Sequence, residues 1–366
     1  MSRGLMFLIA AGALLGGVDR ILGNRYGLGK KFDEGFLLMG SMALSMVGII
    51  CLAPVLSTWL GALIAPAFSA VGLDPAMFGC VLAIDMGGYQ LAMDLARDPE
   101  IGRFSGIIAS AMFGCTLVFT IPVGMSVLAQ EDRPLFLKGL LAGIISLPGG
   151  LVAGGLLQGL PLGTIIYQCT PIFLLAALLL LGLACFPEKV IQIFSRFADV
   201  IRTVATVGLV LAAVEQLTGI PLVGGLAPVE EGVQVVGSIA VVMLGSLPLA
   251  ELLRRGLARP FRWIGRKTGL NDVSTTGIIM GSITVMPAIV MVPDMDDRGK
   301  VLCGAFLVCG ASALAAHLGF AAGTEPELIL PLLGGKFVGA LLGMAIALGI
   351  TRPHTQTEKN ERAKAP

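Results

Sequence analysis

Apolar residues run along this chain in blocks of about twenty, separated by short clusters of charge, glycine and proline. Blocks of that length match the ~20 helical residues that cross a ~30 Å hydrocarbon core. They predict membrane-spanning helices near 4–22, 35–55, 103–129, 136–158, 164–186, 201–219, 231–252, 300–322 and 328–350. Two kinds of segment depart from this pattern. Residues 56–71 are uncharged whereas 253–268 carry six Lys/Arg and cannot cross, so both are read as arms lying along the interface. The apolar segments 75–96 and 272–293 are interrupted by Asp85-Met86-Gly87-Gly88 and by Ser282-Ile283-Thr284-Val285-Met286-Pro287. Each is read as dipping in and returning as a helical hairpin, the alternative being a version in which the first arm and 75–96 each cross, which leaves the sidedness the same.

These departures recur because the chain is duplicated. Residues 34–56 align without a gap on 231–253, with ten identities in 23 positions, among them Glu34-Gly35 on Glu231-Gly232 and Met46 on Met243. A composition rich in Leu, Gly and Ala gives roughly two by chance, so the match marks a repeated unit. With a one-residue slip, Gly12 and Val18 fall on Gly208 and Val214. The expected organisation is a first transmembrane repeat over 1–160, a linker helix with a cytoplasmic amphipathic segment over 161–200, a second repeat over 201–351 and a cytoplasmic disordered tail over 352–366. If the hairpins return to the side they enter from, an odd number of crossings separates the copies, which are then inverted.

Composition strengthens the membrane reading. The chain is 55% hydrophobic and only 13% charged, about half the charge of a soluble domain. Fifty glycines and prolines scattered through apolar runs favour closely packed, locally broken helices over a barrel. Net charge near zero argues against nucleic acid as a partner. With an outside N-terminus, 21 of the 25 Lys/Arg fall on the cytoplasmic side, in 20–31, 133–138, 189–202, 254–267, 298–300 and 352–364, as the positive-inside rule requires. Inverted repeats with broken segments facing each other are a secondary-transporter architecture. The order of helix, arm, hairpin, helix, helix is similar to that of the concentrative nucleoside transporters, which move by an elevator mechanism.

An ionisable group inside a bilayer costs about 2.5–3.5 kcal/mol at a helix centre, which singles out Asp85. Two glycines beside it let the backbone turn, and Tyr89 and Gln90 add a ring and an amide, a set suited to a small ammonium ligand. Asp85 also reads as a cap for a half-helix at the hairpin tip. At the repeat offset it faces Ser282, with Thr284 beyond. His317, deep in the 300–322 helix, is placed to accept a hydroxyl hydrogen bond or relay a proton, or to bond a neighbouring carbonyl structurally. It faces Thr120, which with Thr116 forms a polar face on 103–129. Glu34 and Glu231 read as helix N-terminal charges, and Asp19 as an interface anchor. Gly335, Gly339 and Gly343 form a small-residue seam matched by Gly150 and Gly154. Such seams allow a homo-oligomer. The seven cysteines read as small buried hydrophobes. No catalytic triad, metal-ligand spacing or nucleotide loop stands out, so neither an enzyme nor a cofactor is expected, and any energy coupling must come from ions or protons.

Several stretches together resemble the ethanolamine-utilisation permease (EutH-type) family: Val18-Asp19-Arg20-Ile21-Leu22, Phe32 to Leu56, Asp85-Met86-Gly87-Gly88, Phe119-Thr120-Ile121-Pro122-Val123, Asp296 to Val301 and His317 to Ala322. The likeness runs from about residue 10 to 350. Two departures are a less polar 282–287 stretch and a shorter loop at 220–230. The resemblance implies an integral protein of the bacterial inner membrane, with a cytoplasmic C-terminus, that imports ethanolamine by facilitated diffusion with alternating access. In that case Asp85 pairs with the ammonium, Tyr89 supplies a ring, and Thr116, Thr120 and His317 meet the hydroxyl. Two other readings compete. One is a proton- or sodium-coupled transporter of another small amine or polar solute such as a nucleoside; the other is a sensor acting through the charged tail.

Overall fold

The computed structural model describes residues 2–82 and 88–351, apart from the side chains of 2–3, 82, 257–259, 261–264 and 266–268. Asp85 and the tail 352–366 therefore lie outside the described residues. Among those described, every regular element is helical. Helix α1 (Ser2–Ile21) turns into α2 (Leu28–Ala70). Asp19, expected at the interface, is instead 3% exposed. Its carboxylate accepts hydrogen bonds from the backbone N–H groups of Tyr26, Leu28 and Gly29 at 2.9, 2.7 and 2.9 Å. That satisfies donors that the first turn of α2 would otherwise leave unpaired.

The arm expected at 56–71 is not a separate element but the continuation of α2. Forty-three residues make a helix about 65 Å long, twice the thickness it has to cross, and Pro54 and Pro66 lie within it. Its counterpart α10 (Val229–Thr268) likewise runs unbroken through Pro248 and Pro260. The first hairpin is formed by the short α3 (Ala76–Gly79) and α4 (Gly88–Leu95). Then come α5 (Pro99–Val127), α6 (Arg133–Gln158), a pair bent by 52° made of α7 (Leu162–Gln168) and α8 (Thr170–Cys185), and α9 (Pro187–Thr218). The second hairpin is α11 (Asp272–Ile283) with α12 (Val285–Val290), followed by α13 (Asp297–Gly310), α14 (Ala316–Thr324) and α15 (Ile329–Ile350).

Among the described residues seven helices are long and apolar enough to cross a bilayer, and the bent α7–α8 pair makes an eighth. The ninth expected span, 300–322, is present but interrupted between Gly310 and Ala316. The chain is thus a multi-pass helical membrane protein. Its lipid-facing positions include Phe7, Leu14, Ile21, Leu174, Leu178 and Leu181, all more than half exposed. Element ends repeat at the offset of 197 residues: α1 ends at Ile21 and α9 at Thr218, α5 at Val127 and α14 at Thr324.

Glycines that the sequence alignment pairs make matching contacts. A methyl group added at Gly12 would strike the Gly245 backbone, and one added at Gly208 would strike that of Gly48. Gly35 packs on Met243 and Gly232 on Val47. Residue numbers therefore rise along α2 as they fall along α10, so these equivalent helices are antiparallel. The pair α6 and α15 behaves the same way, with Gly154 against Pro331, Gly150 against Gly335 and Gly143 against Gly343. The small-residue seam expected from sequence is this contact. Two ion pairs join distant parts of the chain, Arg103 with Glu325 at 3.3 Å and Lys300 with Asp132.

Each hairpin is closed at its feet. The Asp74 carboxylate accepts from the backbone N–H groups of Ala76, at its own start, and of Arg97 and Asp98, at the far end. In the second copy Asn271 N donates to Asp296 Oδ1 at 3.0 Å and Asn271 Nδ2 to Asp294 O at 3.1 Å. The two ends of each segment are therefore held side by side.

Candidate functional site

Two interruptions of helical backbone meet in the second copy. Thr284 is extended (φ −151°, ψ 142°) between α11 and α12, and Ser312 has φ +52° in the gap between α13 and α14. A left-handed serine is disfavoured on its own, but here the gap docks on the end of α11. Ser312 N donates to Gly281 O at 2.9 Å, and Leu314 N donates to Ser282 O at 2.7 Å. The carbonyls that end α11 are thus satisfied by the backbone that α13 releases, the condition under which broken helices survive at membrane depth.

A cavity of about 340 Å³ opens beside this junction. Its floor is Ile283 to Met286 with Ser312, Ala315, Ala316 and His317, and its walls come from three other helices. From α2 come Glu34, Leu38, Ser41 and Met42, one helical face. From α10 come Met243 and Leu247, and from α5 Cys115 and Phe119. His317 is 2% exposed, its ring bonds to the Ala311 backbone, and Nδ1 has no hydrogen-bond partner. Glu34 is bound to Lys31 at 2.5 Å. Because α2 begins at Leu28, Glu34 sits nearly two turns inside the helix and is not the cap expected from sequence. Glu231, in contrast, does lie in the first turn of α10.

Of the expected site residues, Thr284 and His317 meet in this cavity, and Ser282 lies just behind it with Oγ donating to Ile279 O at 2.6 Å. Asp85 lies outside the described residues, and the others are elsewhere. The Tyr89 hydroxyl donates to Glu325 Oε1 at 2.8 Å and its ring packs edge-on against Phe320 at 5.7 Å. Gln90 is exposed and donates to Asp94 at 3.0 Å. Thr116 is buried, with Oγ1 donating to Met112 O and Val308 O at 2.7 and 3.0 Å, so it ties α5 to α13. Thr120 is fully buried and its hydroxyl is unpartnered. The helix α5 is π-wound over Phe104–Gly114 and Thr116–Thr120, which rotates its faces away from those counted at ordinary helical spacing. Cys115 and Phe119 consequently occupy the wall that Thr116 and Thr120 were expected to line.

The broken backbone supplies both signs of charge. Helices α11 and α13 end at the cavity with their C-termini, which favour a cation, and α14 starts there with its N-terminus, which favours an acceptor. A second cavity of about 430 Å³ lies between α2, α5 and α9, with Ser195, Asp199 and Arg202 in its lining. Phe119 belongs to the walls of both.

Comparison with known proteins bears on what such a site serves. The family model described as "Ethanolamine utilisation protein, EutH" matches residues 1–350. A probable ethanolamine permease EutH from Listeria monocytogenes serotype 1/2a (strain 10403S) is 41% identical over 358 residues, covering 98% of this chain and 95% of that one. Protein YxeR of Bacillus subtilis (strain 168), which carries no assigned function, is 39% identical over 362 residues, 99% and 98% of the two chains. A probable ethanolamine permease EutH of Escherichia coli (strain K12) is 36% identical over 400 aligned positions, again 99% and 98%. No solved structure matches the chain significantly.

Proposed function

Since the chain belongs to the EutH family of ethanolamine utilisation proteins, we propose that it imports ethanolamine across the bacterial cytoplasmic membrane by facilitated diffusion with alternating access. The observation that carries this reading is the cavity where two helix breaks meet. A primary ammonium with one hydroxyl needs a cation-favouring end and an oxygen-binding end within a few ångströms. The C-termini of α11 and α13 with the Thr284 hydroxyl suit the ammonium, and His317 Nδ1 at the start of α14 suits the hydroxyl. Glu34 guards the approach and offers a carboxylate in exchange for Lys31. Asp85 remains the proposed ammonium partner from the first hairpin.

Alternating access rests on the duplication. Five spans precede α9, the counterpart of α1, and the antiparallel packing of α2 on α10 and of α6 on α15 supports inverted copies. The cavity lies between the α2–α10 pair and the group formed by the second hairpin, α5 and the broken α13–α14, where an elevator-like displacement would open it to either side. The Arg202-lined cavity serves as the cytoplasmic exit and Phe119 as the gate between the two.

Labelled ethanolamine taken up by proteoliposomes at limiting concentration tests the reading. Saturable uptake, competed by other small amino alcohols and indifferent to sodium or an uncoupler, is expected. Uptake of a nucleoside that collapses without sodium and ignores ethanolamine would establish the competing transporter instead.

A further inference from the structure

Helix α10 faces two cavities. Met243 and Leu247 wall the one beside His317, while Val241 and Val242 face a groove that runs along α1. On the α1 side Met6, Ala10, Ala13, Gly17 and Ile21 recur at helical spacing. Phe32, at the start of α2, closes the far end, and every lining residue is apolar. From Met6 to Ile21 the groove follows about 22 Å of helix. That is the depth of one leaflet with its headgroup region, half of the ~40–45 Å of a whole bilayer. Its volume of about 720 Å³, spread over that length, leaves a channel roughly 6 Å wide, too narrow for a helix of ~10–12 Å diameter. A methylene chain, whose carbons keep contacts at about 4 Å, fits it.

The Ile21 end of the groove is basic and lies at headgroup level. Tyr26, in the turn between α1 and α2, is 67% exposed, as rings that settle at the membrane–water interface are. Gly29 lies against the Arg20 backbone, so the tight turn brings Arg25 and Lys30 to the level of Ile21. Arg20 is held by Asp33 and Lys31 by Glu34. Arg25 and Lys30 are exposed and, among the described residues, take part in no ion pair. We propose that the groove binds one anionic phospholipid, with an acyl chain between α1 and α10 and its phosphate held by Arg25 and Lys30. In the sidedness that the Lys/Arg distribution favours, this is the cytoplasmic leaflet, where anionic lipids attract such basic clusters. The bound chain adds contact between α1 and α10 beside the place where Gly12 meets Gly245, one helix face away from the ethanolamine cavity.

Native mass spectrometry of the full chain, delipidated in detergent and titrated with phosphatidylglycerol or phosphatidylcholine, tests the site. One phosphatidylglycerol should bind saturably, about tenfold more tightly than phosphatidylcholine, and the melting temperature should rise with occupancy. Arg25→Gln with Lys30→Gln should weaken phosphatidylglycerol roughly thirtyfold and phosphatidylcholine less than threefold. Lys189→Gln with Arg196→Gln, basic residues that do not line the groove, should alter neither. Gly17→Leu places its Cβ in ordinary contact with Phe32, at 3.8 Å, and fills the slot, so it should weaken both lipids at least tenfold. Phosphatidylglycerol affinity unchanged by the Arg25 and Lys30 substitutions overturns the inference, as does an equal loss from the Lys189 and Arg196 pair, the mark of diffuse attraction to a basic face. So does lipid binding that survives Gly17→Leu in a folded protein, or a dimer that the same substitution abolishes, the mark of a second copy in the groove. Displacement of the lipid by inorganic phosphate would show an anion site without a chain site and would overturn it too. If Gly17→Leu fails to fold, the charge substitutions still decide.

Discussion

His317 and Thr284 come from elements 33 residues apart in sequence and share a cavity because one helix break fills the hydrogen-bonding needs of the other. His317 alone among the described cavity residues combines near-complete burial with an unpartnered ring nitrogen. Its replacement by alanine should lower kcat/KM for ethanolamine uptake about tenfold or more, the value of a hydrogen bond of roughly 1.5 kcal/mol, with thermal stability in detergent little changed. Gln90→Ala, at an exposed residue bonded only to Asp94, should leave uptake within twofold. Thr116→Val removes a buried hydroxyl that joins α5 to α13. It should cost about 0.5–1.5 kcal/mol of stability and shift the melting temperature without a change in KM. The histidine and threonine that line the cavity were visible in sequence as polar groups within apolar runs. The side chains of α5 were misassigned because their facing was counted at a helical period that the π-wound turns do not follow.

At the scale of elements, the hairpins and the glycine seam were legible and the break at 311–315 was not. Hairpins leave a trace in the apolar run, as a glycine pair and a carboxylate in one and a proline in the other. The stretch Gly310-Ala311-Ser312-Ala313-Leu314-Ala315 is small and apolar with no proline, and its local propensity is helical. Only the unpaired carbonyls at the end of α11 draw it out of the helix. The arms were also misread as separate elements: the basic residues of 253–268 do not require α10 to stop, and α2 continues through the uncharged 56–70 with Pro54 and Pro66 inside it. The seam between α6 and α15 leaves no room for a larger residue: a Cβ at Gly335 would lie 2.8 Å from Gly150 O. Gly335→Val should therefore cost several kcal/mol and reduce the yield of monodisperse protein in size-exclusion chromatography. Gly349→Val, where a Cβ meets nothing, should be tolerated.

At the scale of the whole molecule, the internal sequence match was the most informative signal, because the helices it pairs, α2 with α10 and α6 with α15, pack antiparallel and contacts between aligned glycines appear twice. Gly12 on Gly245 and Gly208 on Gly48 are such a pair. Single cysteines introduced at Arg97 and Arg298 in a cysteine-free background test the orientation. An impermeant maleimide applied to intact cells should label the first site only, and labelling of both from the same side would contradict inverted copies. What sequence could not provide was which faces enclose space, since that depends on how α2 and α10 lie against the second hairpin and the broken α13–α14. Transport by this route depends most directly on that cavity. Ala316 lines it at the start of α14, and Ala316→Phe fills it without removing a charged or hydrogen-bonding side chain. The decisive measurement is saturable uptake of labelled ethanolamine by proteoliposomes holding equal amounts of folded wild-type and Ala316→Phe protein. The cavity reading predicts uptake by the wild type and a loss of at least tenfold in the variant, whereas equal uptake by both proteins would contradict it.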